Sequence, residues 1–114
     1  MYDENNIFAK IIRGEIPCEK IYEDNEVLFF KDINPIAKIH VLGIPKSQCI
    51  DFSDFISKSS PSAISDFFNK TDLVIEKLGI KEDGYKVISN SGVNGGQEVS
   101  HFHIHIIGGE KVIL

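Results

Sequence analysis

Residues 99–107 read VSHFHIHII, a run in which polar and apolar side chains alternate. A period of two predicts a β-strand, because successive side chains on a strand point to opposite faces. His101, His103 and His105 are therefore expected on one face, and the apolar residues between them on the face toward the core. Three imidazoles in one row are the strongest functional signal in the chain, since histidine changes its charge near neutral pH.

Three functions are open to such a row. It can be an ordinary polar strand face. It can bind zinc or copper, as histidines two residues apart on a strand do when carboxylates or thiolates complete the ligand set. It can also attack phosphorus, with one neutral imidazole as the nucleophile and its neighbour holding the tautomer or supplying a proton. Gly95 and Gly96 precede the run, and glycines allow backbone N–H groups to approach a phosphate.

The rest of the chain predicts an α+β domain over residues 1–114, with a five-stranded antiparallel sheet and two main helices. For residues 52–60 the sequence is compatible with either a helical turn or an exposed loop. The predicted helices and strands are a short helix over 7–12, a hairpin of strands 19–23 and 27–31, a third strand over 40–44, a helix over 62–78, a fourth strand over 85–90 and a fifth over 99–107.

Composition excludes several classes of protein. With 114 residues, 42% of them hydrophobic, the chain suits one soluble domain, and a net charge of −5 argues against nucleic acid as a partner. No apolar run approaches the ~18 residues of a membrane span, and the acidic start does not look like a secretory signal, so we expect a cytoplasmic protein with no membrane partner. Cys18 and Cys49 lack metal-site spacing and are expected to be buried thiols without a disulfide.

Residues 101–107 resemble the His-x-His-x-His-x-x signature of the histidine-triad (HIT) hydrolases and transferases. Further segments are similar to the Hint branch of that family. They read IFAKIIRGEIP (7–17), FFKDINPIAKIHVLGIPK (29–46), YKVISNSG (85–92) and GGQEVSHFHIHIIGG (95–109). The resemblance thus extends over most of the chain, from Ile7 to Gly109.

The resemblance implies a homodimer whose two sheets join, and hydrolysis of purine nucleoside 5′-phosphoramidates such as AMP or GMP conjugates. No metal or other cofactor is required. By position, His103 would form the nucleotidyl-histidine intermediate. His101 and His105 would contact the α-phosphate or assist proton transfer, and His40 would orient the nucleophilic ring from behind.

The resemblance also assigns the nucleotide contacts. Asp32 would accept hydrogen bonds from the ribose hydroxyls, which suits a carboxylate with two oxygens. The other positions implied are the apolar purine walls Ile7, Phe8, Ile11, Phe30 and Ile33, then Asn90 near phosphate and ribose, and Gly96, Gln97, Glu98 and Val99 around the phosphate.

Two departures from the family pattern carry expectations. Relatives have a hydroxyl residue where this chain has Glu98, and a carboxylate beside an anionic substrate should favour a cationic amine as leaving group. Some relatives hold a structural zinc at positions occupied here by Asn6, Ala9 and Gln48, so we expect no zinc site.

Two alternatives remain beside the phosphoramidate hydrolase. A diadenosine-polyphosphate hydrolase or nucleotidylyl transferase would use the same nucleophile and release a nucleotide instead of an amine. A nucleotide-binding regulatory module would bind the same ligand, and its turnover would be incidental.

Overall fold

A computed structural model describes residues 1–113. In chain order the helices and strands are α1 (Ile7–Ile12), β1 (Lys20–Glu23), β2 (Val27–Lys31), β3 (Ile39–Pro45), α2 (Phe52–Lys58), α3 (Pro61–Lys77), β4 (Tyr85–Ile88) and β5 (Ile104–Gly108). The strands form one antiparallel sheet in the order β1-β2-β3-β5-β4, which confirms the predicted fold class. No helix within the described residues is both long and apolar enough to cross a membrane.

One face of the sheet packs against α2 and α3. Helix α3 begins where the Ser60 side chain accepts a hydrogen bond from the Ala63 N–H, with Pro61 in the first turn, and it buries Phe67, Val74 and Ile75. Phe67 belongs to an aromatic cluster in which the rings of Phe55 and Phe102 stack at 4.7 Å. Each fully buried phenylalanine of this kind stabilises the fold by about 1.5–3 kcal/mol.

The opposite face of the sheet packs against the short helix α1. The Asn6 side chain accepts a hydrogen bond from the Ala9 N–H and so caps this helix. Phe8 and Ile11 then pack on a second, smaller core, together with Leu28, Phe30, Leu42 and Ile44 from the strands. Because α1 has only six residues, it covers one end of the face and leaves a cleft beside it.

The strand predicted over residues 99–107 is shorter than expected, since β5 begins only at Ile104. Its pairing with β3 stops where Gly43 lies opposite Ile104, and Pro45, two residues further, has no N–H to offer a ladder. The Pro45 carbonyl instead accepts a hydrogen bond from the ring of His101. The alternation nevertheless persists, because Phe102 packs in the same core as Ile104.

Other boundaries need smaller corrections. Residues 52–58 form the helix α2, capped by Asp51, so the segment left open between loop and helix is mostly helical. Strand β4 ends at Ile88, two residues earlier than predicted. Both cysteines are free, as expected, but only Cys49 is buried, while Cys18 is half-buried.

Candidate active site

The cleft beside α1 has a volume of about 1010 Å³ and gathers most of the predicted site residues. Three of the four histidines, His40, His103 and His105, line it. Ten of the eleven predicted nucleotide contacts line it as well: Ile7, Phe8, Ile11, Phe30, Asp32, Ile33, Asn90, Gly96, Glu98 and Val99. Two predicted residues, His101 and Gln97, do not.

His103 is held so that one ring nitrogen is available to the cleft. Its Nδ1 lies 2.7 Å from the carbonyl oxygen of His101, and a carbonyl only accepts, so Nδ1 carries the proton. Nε2 of the neutral ring therefore has a lone pair. Burial lowers the pKa of His103, although the charges of Asp32 and Glu98 oppose that shift. The ring is therefore neutral at pH 7, with the Nε2 lone pair free of a proton.

His105 has the opposite tautomer, set by a chain of hydrogen bonds through His40. The Ile36 N–H donates to His40 Nδ1 at 3.2 Å, which places the proton of the neutral His40 ring on Nε2. That nitrogen lies 2.9 Å from Nδ1 of His105 and donates to it. The proton of His105 therefore sits on Nε2. Burial, with smaller effects of His103 and His40, lowers the pKa of His105 to about 4, so this ring too is neutral at pH 7.

The rings of His103 and His105 are thus neighbours with complementary hydrogen-bonding groups. The centroids of His103 and His105 are 5.1 Å apart. One ring offers a lone pair and the other an N–H group. Such a pair suits a phosphorus centre, because the lone pair can attack phosphorus while the N–H group donates a hydrogen bond to a phosphoryl oxygen.

The family resemblance implied that His40 orients the His103 ring, but the structure places His40 against His105. It contacts His105, and its Nε2 is also 3.3 Å from Oδ2 of Asp32. The tautomer of His103 is set by a backbone carbonyl instead. No sequence pattern distinguishes these arrangements, because the register between β3 and β5 decides which histidines meet, and it places Leu42 opposite His105.

His101 lies behind the cleft and cannot contact a phosphate there. Its side chain is 0% exposed, with Nε2 donating to the Pro45 carbonyl at 2.8 Å and Nδ1 accepting from the Tyr2 hydroxyl at 2.6 Å. Burial lowers its pKa to about 4. Both ring nitrogens of His101 are thus bonded to protein groups outside the cleft, and the structure gives this residue a supporting position.

Asp32 follows β2 and faces both a turn and the histidines. Oδ1 accepts from the Asn34 N–H at 2.8 Å, while Oδ2 approaches His40. The ligand atoms of Asp32, His40 and His105 all lie within 4.8 Å of one another, a metal-type grouping that the sequence did not suggest. Within this group the His40 Nε2–H donates to His105 Nδ1, and Asp32 Oδ2 lies 3.3 Å from the same His40 nitrogen.

Gln97 supports the loop between β4 and β5 and does not face the cleft. Its Nε2 donates to the carbonyls of Ile50 and Val99, and its Oε1 accepts from the Gly92 N–H. Within the same loop Gly96 has a φ of +71°, a conformation that favours glycine. Gly96 lines the cleft, so the loop brings backbone beside the histidines.

Some cleft residues escaped the sequence analysis. Lys86 on β4 brings a positive charge to the cleft, and Cys18, before β1, lines it as well. The alternation along β4 could have predicted the position of Lys86. Its neighbours Tyr85 and Val87 point to the other face of the sheet, so Lys86 points toward the cleft.

Comparison with known proteins identifies the family. The family model of the HIT domain matches residues 13–112. A HIT-like protein of Rickettsia prowazekii is 50% identical over 113 residues, 99% of this chain and 94% of that protein. The purine nucleoside phosphoramidase of Escherichia coli is 42% identical over 109 residues, 96% of this chain and 91% of that enzyme.

Solved structures agree with this assignment. A histidine triad protein from Clostridium difficile superimposes with a TM-score of 0.89 at 38% identity, covering 100% of this chain and 98% of that one. A HIT family hydrolase from Clostridium thermocellum gives a TM-score of 0.85 at 40% identity, covering 98% and 96%. The chain belongs to the HIT family of hydrolases and transferases.

The buried His101 predicts acid sensitivity of the fold. Between its ordinary pKa of 6.5 and its folded value of about 4, the unfolded chain binds a proton that the folded protein does not, so stability falls as the pH falls through this range. We expect this group to lower the free energy of unfolding by about 3 kcal/mol between pH 7 and pH 4. Urea denaturation at stepped pH measures it. His101→Gln lacks the titrating ring, and an equally steep pH dependence in that variant would contradict the prediction.

Proposed function

We propose that this protein hydrolyses purine nucleoside 5′-phosphoramidates through a nucleotidyl intermediate on His103. The observation that carries the proposal is the pair of neutral imidazoles in the cleft, His103 with a lone pair on Nε2 and His105 with a proton on Nε2. The relative from Escherichia coli, a purine nucleoside phosphoramidase, supports the substrate class.

The tautomers give each ring a defined task. His103 Nε2 attacks the α-phosphorus of a substrate whose bridging nitrogen has taken a proton from solvent, the P–N bond breaks, and the amine departs neutral. The His105 Nε2–H donates a hydrogen bond to a phosphoryl oxygen and keeps its proton. The His103 ring, now bonded to phosphorus, is cationic, and the hydrogen bond from Nδ1 to the His101 carbonyl stabilises it. Water then attacks phosphorus, the bond to His103 Nε2 breaks and its electron pair returns to that nitrogen, and the proton that the water loses passes to solvent. The products are the nucleoside monophosphate and the amine, and the His103 ring is neutral again.

The rest of the cleft suits a nucleoside. Apolar side chains from α1 and β2, including Phe8, Ile11 and Phe30, form one wall that can pack on a purine ring. Asp32 lies between this wall and the histidines and can accept hydrogen bonds from ribose hydroxyls. Ile33 is 84% exposed beside the cleft, where its side chain is free to pack against a bound nucleoside.

Removal of the nucleophile tests the reaction directly. We expect His103→Ala to lower the hydrolysis of an adenosine 5′-phosphoramidate by about a thousandfold or more, in the presence of a chelator. Wild-type protein quenched during turnover should gain the mass of one AMP group in intact-mass spectrometry, and the variant should not. Ser100→Ala, an exposed neighbour outside the cleft, is the control.

Other outcomes would contradict the proposed mechanism or favour one of the alternative functions. Turnover that persists in His103→Ala, or that stops with chelator, contradicts the histidine mechanism. Release of AMP from a diadenosine polyphosphate at a higher rate than from the phosphoramidate favours the polyphosphate hydrolase. Tight binding of AMP with no turnover of either substrate favours a regulatory module.

Glu98 bears on the choice of leaving group. Its exposed side chain lines the cleft, and its charge acts on His103. The departing amine must leave from the side of phosphorus opposite the nucleophile, within the same cleft. A carboxylate there attracts a cationic group on the amine and repels an anionic one. We therefore propose that phosphoramidates of basic amines are preferred.

Neutralisation of Glu98 should reduce that preference. We expect Glu98→Gln to lower the ratio of kcat/KM for a lysine-type phosphoramidate over one with an uncharged amine about five- to tenfold at low salt. Glu76→Gln makes the same charge change on α3, on the far face of the sheet, and should leave the ratio unchanged. An unchanged ratio in Glu98→Gln would refute the selectivity proposal without touching the histidine mechanism.

The edge strand β4 supports a homodimer. It pairs with β5 on one side, and Tyr85 and Val87 are 40% and 43% exposed. An unpaired edge strand can pair with its copy in a two-fold symmetric antiparallel contact, which would join two sheets. We propose that a second copy of this chain covers this edge.

A charge on the edge should separate the copies. Sedimentation of the wild type is expected to give twice the 12.8 kDa of one chain, and Val87→Lys is expected to shift the protein toward the single-chain mass. Val93→Lys places the same residue at a loop position that is 96% exposed and should leave the dimer intact. A wild type that sediments as one chain at micromolar concentration would overturn the proposal.

A further inference from the structure

Tyr2, in the segment before α1, contacts the side chain behind the catalytic pair. Its hydroxyl lies 2.6 Å from Nδ1 of His101, and the two rings meet edge to face with centroids 5.6 Å apart. Tyr2 does not line the cleft, so a nucleotide bound there would not touch it. Tyr2 is neither part of a sequence motif nor one of the predicted site residues.

The Tyr2 hydroxyl completes the hydrogen bonding of a fully buried ring. The Pro45 carbonyl can only accept, so His101 Nε2 carries the proton and Nδ1 must accept. The Tyr2 O–H is the donor that Nδ1 requires, and burial raises the pKa of Tyr2, which keeps the hydroxyl protonated. Without this donor a buried lone pair would lose its partner, which is costly in a protein interior.

The position of His101 matters because its backbone carbonyl sets the tautomer of His103. Residues 101–103 precede β5, so the strand ladder does not fix this carbonyl. The neighbouring backbone bond, from the Phe102 N–H to the Cys49 carbonyl, holds one side of this stretch. The ring of His101, fixed at both nitrogens, holds the other.

The segment that carries Tyr2 is itself well anchored. The Asp3 carbonyl accepts from the Asn6 N–H, and the Glu4 carbonyl accepts from Arg13 at 2.8 Å. The Glu4 carboxylate accepts a hydrogen bond from the Gln48 side chain at 3.1 Å. Gln48 lies three residues after Pro45, whose carbonyl bonds to the His101 ring. Tyr2 is therefore delivered to His101 by a structured turn.

We propose that Tyr2 is a positioning residue, whose hydroxyl locks the His101 ring and thereby holds the carbonyl that keeps His103 in its nucleophilic tautomer. The effect on turnover rests on the proposed function of the cleft, while the effect on the histidine rings does not. The coupling runs from the Tyr2 O–H to the His101 ring, and from the His101 carbonyl to His103 Nδ1.

Kinetics separate this role from substrate binding. We expect Tyr2→Phe to lower kcat about ten- to a hundredfold for an adenosine phosphoramidate, because a small displacement of a nucleophile is costly, with KM within twofold of the wild type. Tyr22→Phe is the matched control: it removes another half-buried hydroxyl that donates a hydrogen bond, at 2.9 Å to Asp24, on β1 away from the cleft. That variant should keep the wild-type kcat.

Nuclear magnetic resonance tests the coupling without any substrate. Long-range ¹H–¹⁵N spectra of histidine-labelled protein distinguish ring nitrogens that carry a proton from those that do not. In the wild type His101 should show a protonated Nε2 and a hydrogen-bonded Nδ1, and His103 a protonated Nδ1. In Tyr2→Phe the His101 Nδ1 signal should move toward that of an unbonded nitrogen, and His103 should show exchange between tautomers.

The outcomes separate the two proposals. If the wild type does not hydrolyse phosphoramidates, the proposed function fails and the ring spectra alone decide the role of Tyr2. Unchanged His101 and His103 spectra in a folded Tyr2→Phe variant would overturn the inference. So would wild-type kcat in Tyr2→Phe, or an equal loss of kcat in Tyr22→Phe.

Discussion

The hydrogen bond from His103 Nδ1 to the His101 carbonyl is the constraint on which the site depends. A neutral imidazole has a proton on one ring nitrogen and a lone pair on the other. Because the His101 carbonyl can only accept, the proton is on Nδ1 and the lone pair is on Nε2. With Nδ1 occupied, His103 presents Nε2 to the cleft. The opposite bonding of His105, which accepts at Nδ1 from His40, gives the neighbouring ring an N–H group there. Two residues of the same type thus acquire different chemistry from their partners alone.

Burial makes this arrangement stable at neutral pH. The pKa values of all four histidines are lowered, chiefly because charged rings are poorly solvated inside the protein. A protonated His103 would have no lone pair on Nε2, so the apolar surroundings that lower its pKa also preserve the lone pair that the proposed reaction requires. Phe8 from α1 contributes to these surroundings, with its ring edge to face against His103 at 4.9 Å.

The sheet positions the histidines by close packing on both faces. At the centre of β3, Gly43 leaves room for Phe29, since a Cβ there would lie 2.4 Å from the Phe29 ring. Phe29 in turn belongs to the core under α3, whereas Leu42 packs on the face with α1 and pairs with His105. The helix core and the cleft therefore share one strand, and the register of that strand fixes both.

The sequence by itself determined which helices and strands form: an alternating run with three histidines on one face, a long helix predicted over 62–78, and five strands joined by turns. These are local properties, because periodicity, caps and turn residues act over a few positions. The resemblance to the HIT family, itself a property of the sequence, also named residues that meet in the cleft. Only the tertiary structure decided that His101 is buried behind the cleft, that His40 bonds to His105, and that Tyr2 completes the ring of His101. Those contacts join residues 65 and 99 positions apart, and their geometry depends on strand register and packing, which no local pattern encodes.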